Sequence, residues 1–216
     1  MHMYIKALSQ VATRYAPSRV LSFDLVHIFK TLQLIKNNGH VGRDLLCKEL
    51  LLGEGSIKTL VKHLKMHGLV QTSNGGTRLT NKGMKICSEL VPSLSSETSL
   101  PVCSVAIGKF NYAVLLKELG FAIKSGIEQR DAAIKIGGTG ATTLLFKDNK
   151  FTMPNGTAIY DSLRKEPHIR KLLIERLKPE EGDVVIIGGA DNNEKTAELA
   201  AKNAAILTIM NHEKHN

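Results

Sequence analysis

A chain of 216 residues with 43% hydrophobic content is globular, and it is long enough for two small domains or one of ordinary size. Its formal charge of +9 is uneven: residues 1–90 hold 13 Lys/Arg against 5 Asp/Glu, whereas residues 91–216 hold 16 against 15. The excess cation points to a polyanionic partner for the N-terminal part, nucleic acid before membrane, and no apolar run reaches the length of a membrane span.

Residues 1–17 carry no clear period, and Pro17 ends any early helix. Ser22 can cap a helix running to about Asn37, with Leu25, Val26, Ile28, Phe29, Leu32 and Ile35 as its buried stripe. "NNG" stops it, with Gly39 suited to the left-handed position after the last turn. A short helix, Arg43 to Leu50, follows. "LLG" then leads into a helix from about Glu54 to His67, striped by Ile57, Leu60, Val61 and Leu64. Two short helices joined by a tight turn containing glycine predict a helix-turn-helix. "LVQTS" and "TRL" flank "NGG", a hairpin signal. "LTNKG" opens another helix, capped by Thr80 and reaching about Leu90. Residues 1–90 therefore read as a winged helix-turn-helix domain.

"VPSLSSETSLP", residues 91–101, reads as a linker. Residues 102–216 read as a second domain. "VCSVAI" suggests a strand, "YAVLLKEL" a strand or a helix, and Ser125 starts a helix. "TTLLFKDNKFTMP" predicts a hairpin about Asp148–Asn149. Residues 157–177 suggest two helical pieces divided at Pro167. "DVVIIGG" is a buried strand, and the chain closes with a long alanine-rich helix before a polar tail holding His212 and His215, expected to be disordered. The predicted fold class is α+β: an N-terminal winged helix-turn-helix followed by a small mixed α/β domain.

The helix from Glu54 presents Ser56, Lys58, Thr59, Lys62, His63 and Lys65 on the face opposite its apolar stripe, with no acid after Glu54. Small hydroxyl residues allow close approach to a base-pair edge, and lysines reach phosphates and guanines. The second helix of a helix-turn-helix fills the major groove with its N-terminal residues. Ser56, Lys58, Thr59 and Lys62 are the expected groove contacts, and Lys65 a phosphate contact. Arg78, beside the hairpin turn, is expected to reach the minor groove or the backbone. Arg43, His63 and Asn74 complete the expected DNA-binding set. His63 and His67 stand at i, i+4, a spacing that can hold one metal, but no further ligand lies nearby in the chain. No metal and no cofactor are expected.

The second domain offers weaker signals. "IGGTGATT" is not a nucleoside-triphosphate loop, for no Gly-Lys-Ser/Thr follows. It reads as a helix C-cap and tight connection, or as an anion-binding turn. Asp191 with Glu194, and Ser125 with Glu128, have the spacing of capping boxes. Arg130 could bind a carboxylate or phosphate, or make an ion pair. Any effector is expected near Arg130, the loop of Gly137, Gly138, Thr139 and Gly140, or the turn of Gly188, Gly189 and Asp191. The alanine-rich last helix either covers its own sheet or packs closely against a second copy. No nucleophile elbow, zinc-protease motif or kinase signature occurs.

"GRDLLCKELLLGEGSIKTLVKHLKMHGLV…LTNKG" resembles winged-helix transcriptional regulators, and "LTNKG" is similar to their wing-to-helix junction. "SGIEQRDAAIKIGGTGATTLLFKDNKFTMP" and "GDVVIIGGAD" resemble the C-terminal domain, of unknown function, of an archaeal two-domain regulator family. The resemblance implies a DNA-binding regulator of transcription, carries no known ligand or catalytic residue, and leaves the second domain unexplained. Three scattered cysteines and the lack of a leader-like start point to a reducing cytoplasm. The expectation is a non-enzymatic regulator that binds double-stranded DNA as a homodimer, away from membranes, with a small anionic effector as a further partner. The alternative is an enzyme or small-molecule-binding protein whose C-terminal domain takes a phosphorylated or anionic ligand, the winged helix then serving as an interaction module.

Overall fold

The computed structural model describes residues 8–13, 21–90, 94, 96–154 and 160–212. Pro17, most of residues 91–95, the first part of the piece expected at 157–166, and His215 lie outside them. The chain forms two units, Met1–Pro92 and Ser93–Asn216, and the fold class is α+β. No helix of the described residues is long and apolar enough to cross a membrane.

In the first unit, α1 spans Leu25–Asn38 and ends at Gly39, whose φ of 77° needs a glycine. Its N-cap is Asp24, two residues beyond the expected Ser22. The Asp24 N–H donates to Nδ1 of His27 at 2.9 Å, so the cap and the third helical residue lock each other. This contact needs a neutral His27 ring, and burial holds its pKa below the usual histidine value. β1 (His40–Val41), α2 (Arg43–Leu50) and α3 (Glu54–Met66) follow. β2 (Val70–Ser73) and β3 (Gly76–Leu79) form the hairpin, and β1 pairs with β3 to give the order β1-β3-β2. At two residues, β1 is too short to show in a sequence. α4 (Asn81–Leu90) starts at the expected cap: Thr80 Oγ1 accepts the Gly83 N–H at 3.1 Å. The stripes of α1, α3 and α4 meet in a core that buries Leu32, Ile35, Leu46, Ile57, Leu60, Leu64 and Ile86.

The second unit is an antiparallel sheet of order β4-β5-β8-β6-β7. Its strands are β4 (Glu97–Leu100), β5 (Phe110–Leu116), β6 (Gly140–Lys147), β7 (Lys150–Thr152) and β8 (Val184–Ala190). Two expectations change here. Glu97–Leu100, expected within the linker, is an edge strand paired with β5. "VCSVAI", expected as a strand, is a bent connection in which only Val105 is buried. "YAVLLKEL" resolves as strand, continuing β5. The β6–β7 turn stands at Asp148–Asn149, with φ of 50° and 57°, the left-handed pair that a two-residue hairpin requires.

Three helices cover this sheet: α5 (Ile127–Lys135), α6 (Pro167–Leu177) and α7 (Glu194–His212). Alternate residues of the central strands face opposite ways. Ala113, Leu115, Val185 and Ile187 pack with Ile169, Leu173 and Leu177 of α6. On the other face α7 lies along β8 and β5 beside α5. β8 is therefore buried along its whole length. Lys202 of α7 is 1% exposed. Its Nζ stands 3.0 Å from Glu97 of β4 and 2.6 Å from Glu198 one helical turn away.

Candidate nucleic-acid interface

α3 buries Ile57, Leu60, Val61 and Leu64 and turns Lys58, Thr59, Lys62 and Lys65 outward, with Ser56 half-buried. The exposed face thus carries three lysines, while Asp44 and Glu54 sit in first helical turns and Glu49 stands 3.8 Å from Lys30 of α1. Thr59 Oγ1 donates back to the Gly55 carbonyl at 2.9 Å. Lys65 Nζ donates to Thr72 Oγ1 at 3.1 Å and so ties the end of α3 to the hairpin.

His63 does not belong to this face. It is 5% exposed, its Nδ1 donates to the Val11 carbonyl at 2.9 Å, and Phe23 meets its ring edge-on at 5.5 Å. It sits at the border of the apolar stripe, where residues upstream of α1 fold over it. His67 is half-buried, and among the described residues no group of three His, Cys, Asp or Glu could hold a metal ion.

Arg43 and Lys58 come together with the hairpin tip around a cavity of about 440 Å³, lined also by Thr72, Ser73, Asn74 and Thr77. The cavity exists because the hairpin bends close over β1. Gly76, at φ 118°, would place a Cβ 2.9 Å from the Val41 carbonyl oxygen, so only glycine fits there. Thr72, Ser73 and Thr77 were not expected in the site; the polar run "QTSNGGT" was the available signal. Arg78 is exposed on the outer side of β3 opposite His40 and Gln71, and does not line the cavity. Gly53 and Gly55 at the start of α3 have nothing within 4 Å of where a Cβ would stand. Their smallness therefore serves no internal packing and leaves the helix N-terminus open to a close approach.

The glycine motifs of the second unit have a different use. A Cβ on Gly188 would lie 2.4 Å from the Ala201 nitrogen and 2.7 Å from the Ala197 carbonyl oxygen. One on Gly138 would lie 2.7 Å from the Ala200 Cβ. These glycines let α7 sit directly on β8, and they leave no room for a ligand. Gly189 and Gly140 are buried under Ile107, and the Thr139 N–H donates to the Gly189 carbonyl at 2.9 Å. The C-cap of α5 is Ile136, and Gly137, at φ 94°, follows it with its N–H donating to the Ile134 carbonyl at 3.0 Å. Asp191 does not cap α7: its Oδ1 accepts the Lys109 N–H at 3.1 Å, and Asn193 takes the cap by accepting the Thr196 N–H at 2.9 Å. Nor do Ser125 and Glu128 form a box, because Gly126 is the N-cap of α5. Arg130 is exposed and bonds Asp131 Oδ1 through Nε and Nη2.

Comparison with known proteins agrees with the two-part architecture. Residues 25–94 match the family model of the CggR N-terminal DNA binding domain, and residues 107–209 match that of a domain of unknown function, DUF4443. The solved structure of a hypothetical protein, PH0730 from Pyrococcus horikoshii OT3, is similar over 90% of this chain and 95% of its own, with 27% identity and a TM-score of 0.67. No curated protein matches the chain. The chain is thus similar, in succession, to a CggR-type N-terminal DNA-binding domain and to a DUF4443 domain.

Proposed function

We propose that the protein is a DNA-binding regulator of transcription. In this reading the first unit is a winged helix-turn-helix. α3 enters the major groove of double-stranded DNA with Ser56, Lys58, Thr59 and Lys62, while the β2–β3 hairpin is the wing that brings Asn74 and Arg78 to the flanking backbone. The observation that carries it is the outward face of α3, which continues through Lys58 into the recess shared by Arg43 and the hairpin tip. One such unit contacts few base pairs, so the protein acts as a homodimer joined through residues 102–210, works in the cytoplasm, and passes the effect of any ligand from the second unit to the first by changing how two recognition helices are held.

The test is a titration of the full chain with duplex genomic fragments over a salt series. If Arg43, Lys58, Lys62, Lys65 and Arg78 each meet a phosphate, the log–log slope is about −4 to −5 per protomer, so that the affinity of the dimer falls by about 10⁵-fold between about 50 and 200 mM salt. Lys62→Ala lowers affinity and reduces the slope by about one per protomer. Sedimentation of the same sample gives a dimer. A salt-insensitive complex, or no complex with any fragment, removes the reading.

A further inference from the structure

The start of α5 faces an open recess of about 270 Å³ whose lining includes Ser125, Gly126, Ile127, Arg130 and Thr143. Helix N-termini attract anions, but most are closed by a capping side chain. This one is not closed. Its N-cap is Gly126, at φ 78°, with no side-chain cap, and the hydroxyl of the preceding Ser125 is a long 3.4 Å from the Ile127 nitrogen.

A second observation is independent of the helix. Thr143 of β6 is 3% exposed, and its Oγ1 has no hydrogen-bond partner among the described residues. Burying a hydroxyl unpaired costs about 1–3 kcal/mol, so such a group calls for an explanation. The Thr143 side chain lies against the cap: a Cβ on Gly126 would stand 3.4 Å from both its Cβ and its Oγ1. A side chain at position 126 would fill the space between helix end and hydroxyl, and the glycine leaves it empty. Arg130, one turn into α5, stands at the same recess. Asp131 engages its Nε and Nη2, and at this exposure such a pair between neighbours is weak enough to rearrange. Glu128 and Asp131 are exposed on the same turn and disfavour any anion not held by several donors. The volume lies below the usual 300–1,000 Å³ of drug-sized sites, which selects a small group.

We propose that this recess binds a phosphate-type oxyanion, held by the first-turn N–H groups of α5, the Thr143 hydroxyl and the Arg130 guanidinium. Its regulatory meaning rests on the effector role proposed above. Binding itself does not, because it is measured without DNA.

The test uses the full chain, titrated by calorimetry with inorganic phosphate and, separately, with glycerol phosphate, at ionic strength held constant with chloride. Saturable binding of inorganic phosphate at millimolar concentration or below is expected. Tighter binding of the ester identifies a phosphomonoester as the occupant; equal or weaker binding identifies the free anion. Thr143→Val keeps the shape of the side chain, so this variant folds, melts higher than wild type in phosphate-free buffer, and binds phosphate at least tenfold more weakly. Arg130→Gln weakens binding by a similar factor. Phosphate raises the melting temperature of the wild-type second unit and not that of Thr143→Val. No saturable binding overturns the proposal. So does phosphate binding that Thr143→Val leaves unchanged, which would place the anion on the lysines of the first unit.

Discussion

Lys202→Met is expected to destabilise the second unit by about 3–5 kcal/mol, seen as a loss of roughly 10–20 °C in its melting temperature. Lys202 is buried on α7 and neutralises two acids, Glu97 and Glu198. Tyr112 completes the group: the Lys202 ammonium stands 5.9 Å from its ring centre. Burial first, then the charges of Glu97 and Glu198, push the Tyr112 phenol well above its ordinary pKa. Methionine preserves the stem and its packing, so the loss isolates the charge. Without the ammonium, two partly buried carboxylates face each other and must ionise against repulsion or take up protons. Adding Glu97→Gln and Glu198→Gln removes that repulsion and is expected to restore most of the stability. Urea denaturation of the three forms decides the matter: a loss below about 1 kcal/mol for the single variant would mean that the ion pairs add nothing net.

This cluster also marks what a linear pattern cannot reveal. Lys202 sits in an alanine-rich helix, where a lysine ordinarily faces water. Its partner Glu97 lies 105 positions away, in a serine-rich stretch with the composition of a linker. Only the pairing of Glu97–Leu100 with β5 brings the two together. By contrast, the apolar stripes of α1 and α3, the Asp148–Asn149 hairpin and the Thr80 cap were all readable, because each is set by local spacing or local φ preference.

The candidate interface divides the same way. That Lys58, Thr59, Lys62 and Lys65 face outward follows from the helical period alone. His63 failed because it lies on the stripe's border, and only Val11 and Phe23, distant in the chain, decide that it is buried. The convergence of Arg43, Lys58 and the hairpin tip depends on how closely the hairpin approaches β1, which Gly76 determines. The glycine motifs of the second unit were ambiguous in composition: a glycine that admits a phosphate and one that admits a helix look identical in a sequence. What a Cβ would meet distinguishes them. At Gly188 it meets the backbone of α7, and at Gly126 it meets the Thr143 side chain with its unpaired hydroxyl, at the edge of a recess.

The same criterion makes two glycines of the first unit respond oppositely to one substitution. Gly83 lies in α4, and a Cβ there would stand 2.1 Å from the Leu69 carbonyl oxygen. Alanine is the better helix former by about 1 kcal/mol, but the clash outweighs this. The Leu69 carbonyl cannot turn aside, because it accepts the Thr80 N–H at 3.0 Å, and the Thr80 hydroxyl donates to the adjacent Gly68 carbonyl at 2.6 Å. α4 must therefore move, and Thr80 Oγ1 loses its bond from the Gly83 N–H. A net loss of about 2–3 kcal/mol is expected for Gly83→Ala. β2 begins one residue after Leu69, so the hairpin shifts too and DNA affinity falls as a secondary effect. Gly55→Ala is the counterpart. It sits in α3 with nothing within 4 Å of the new methyl group, so the first unit is expected to gain about 0.5–1 kcal/mol. If the start of α3 meets DNA closely, that methyl group intrudes on the partner, and affinity drops by roughly tenfold although the protein is more stable. Melting curves and DNA titrations of both full-length variants provide the four readings. A Gly55→Ala protein that is stabilised and binds DNA as well as wild type would move the contact away from the start of α3.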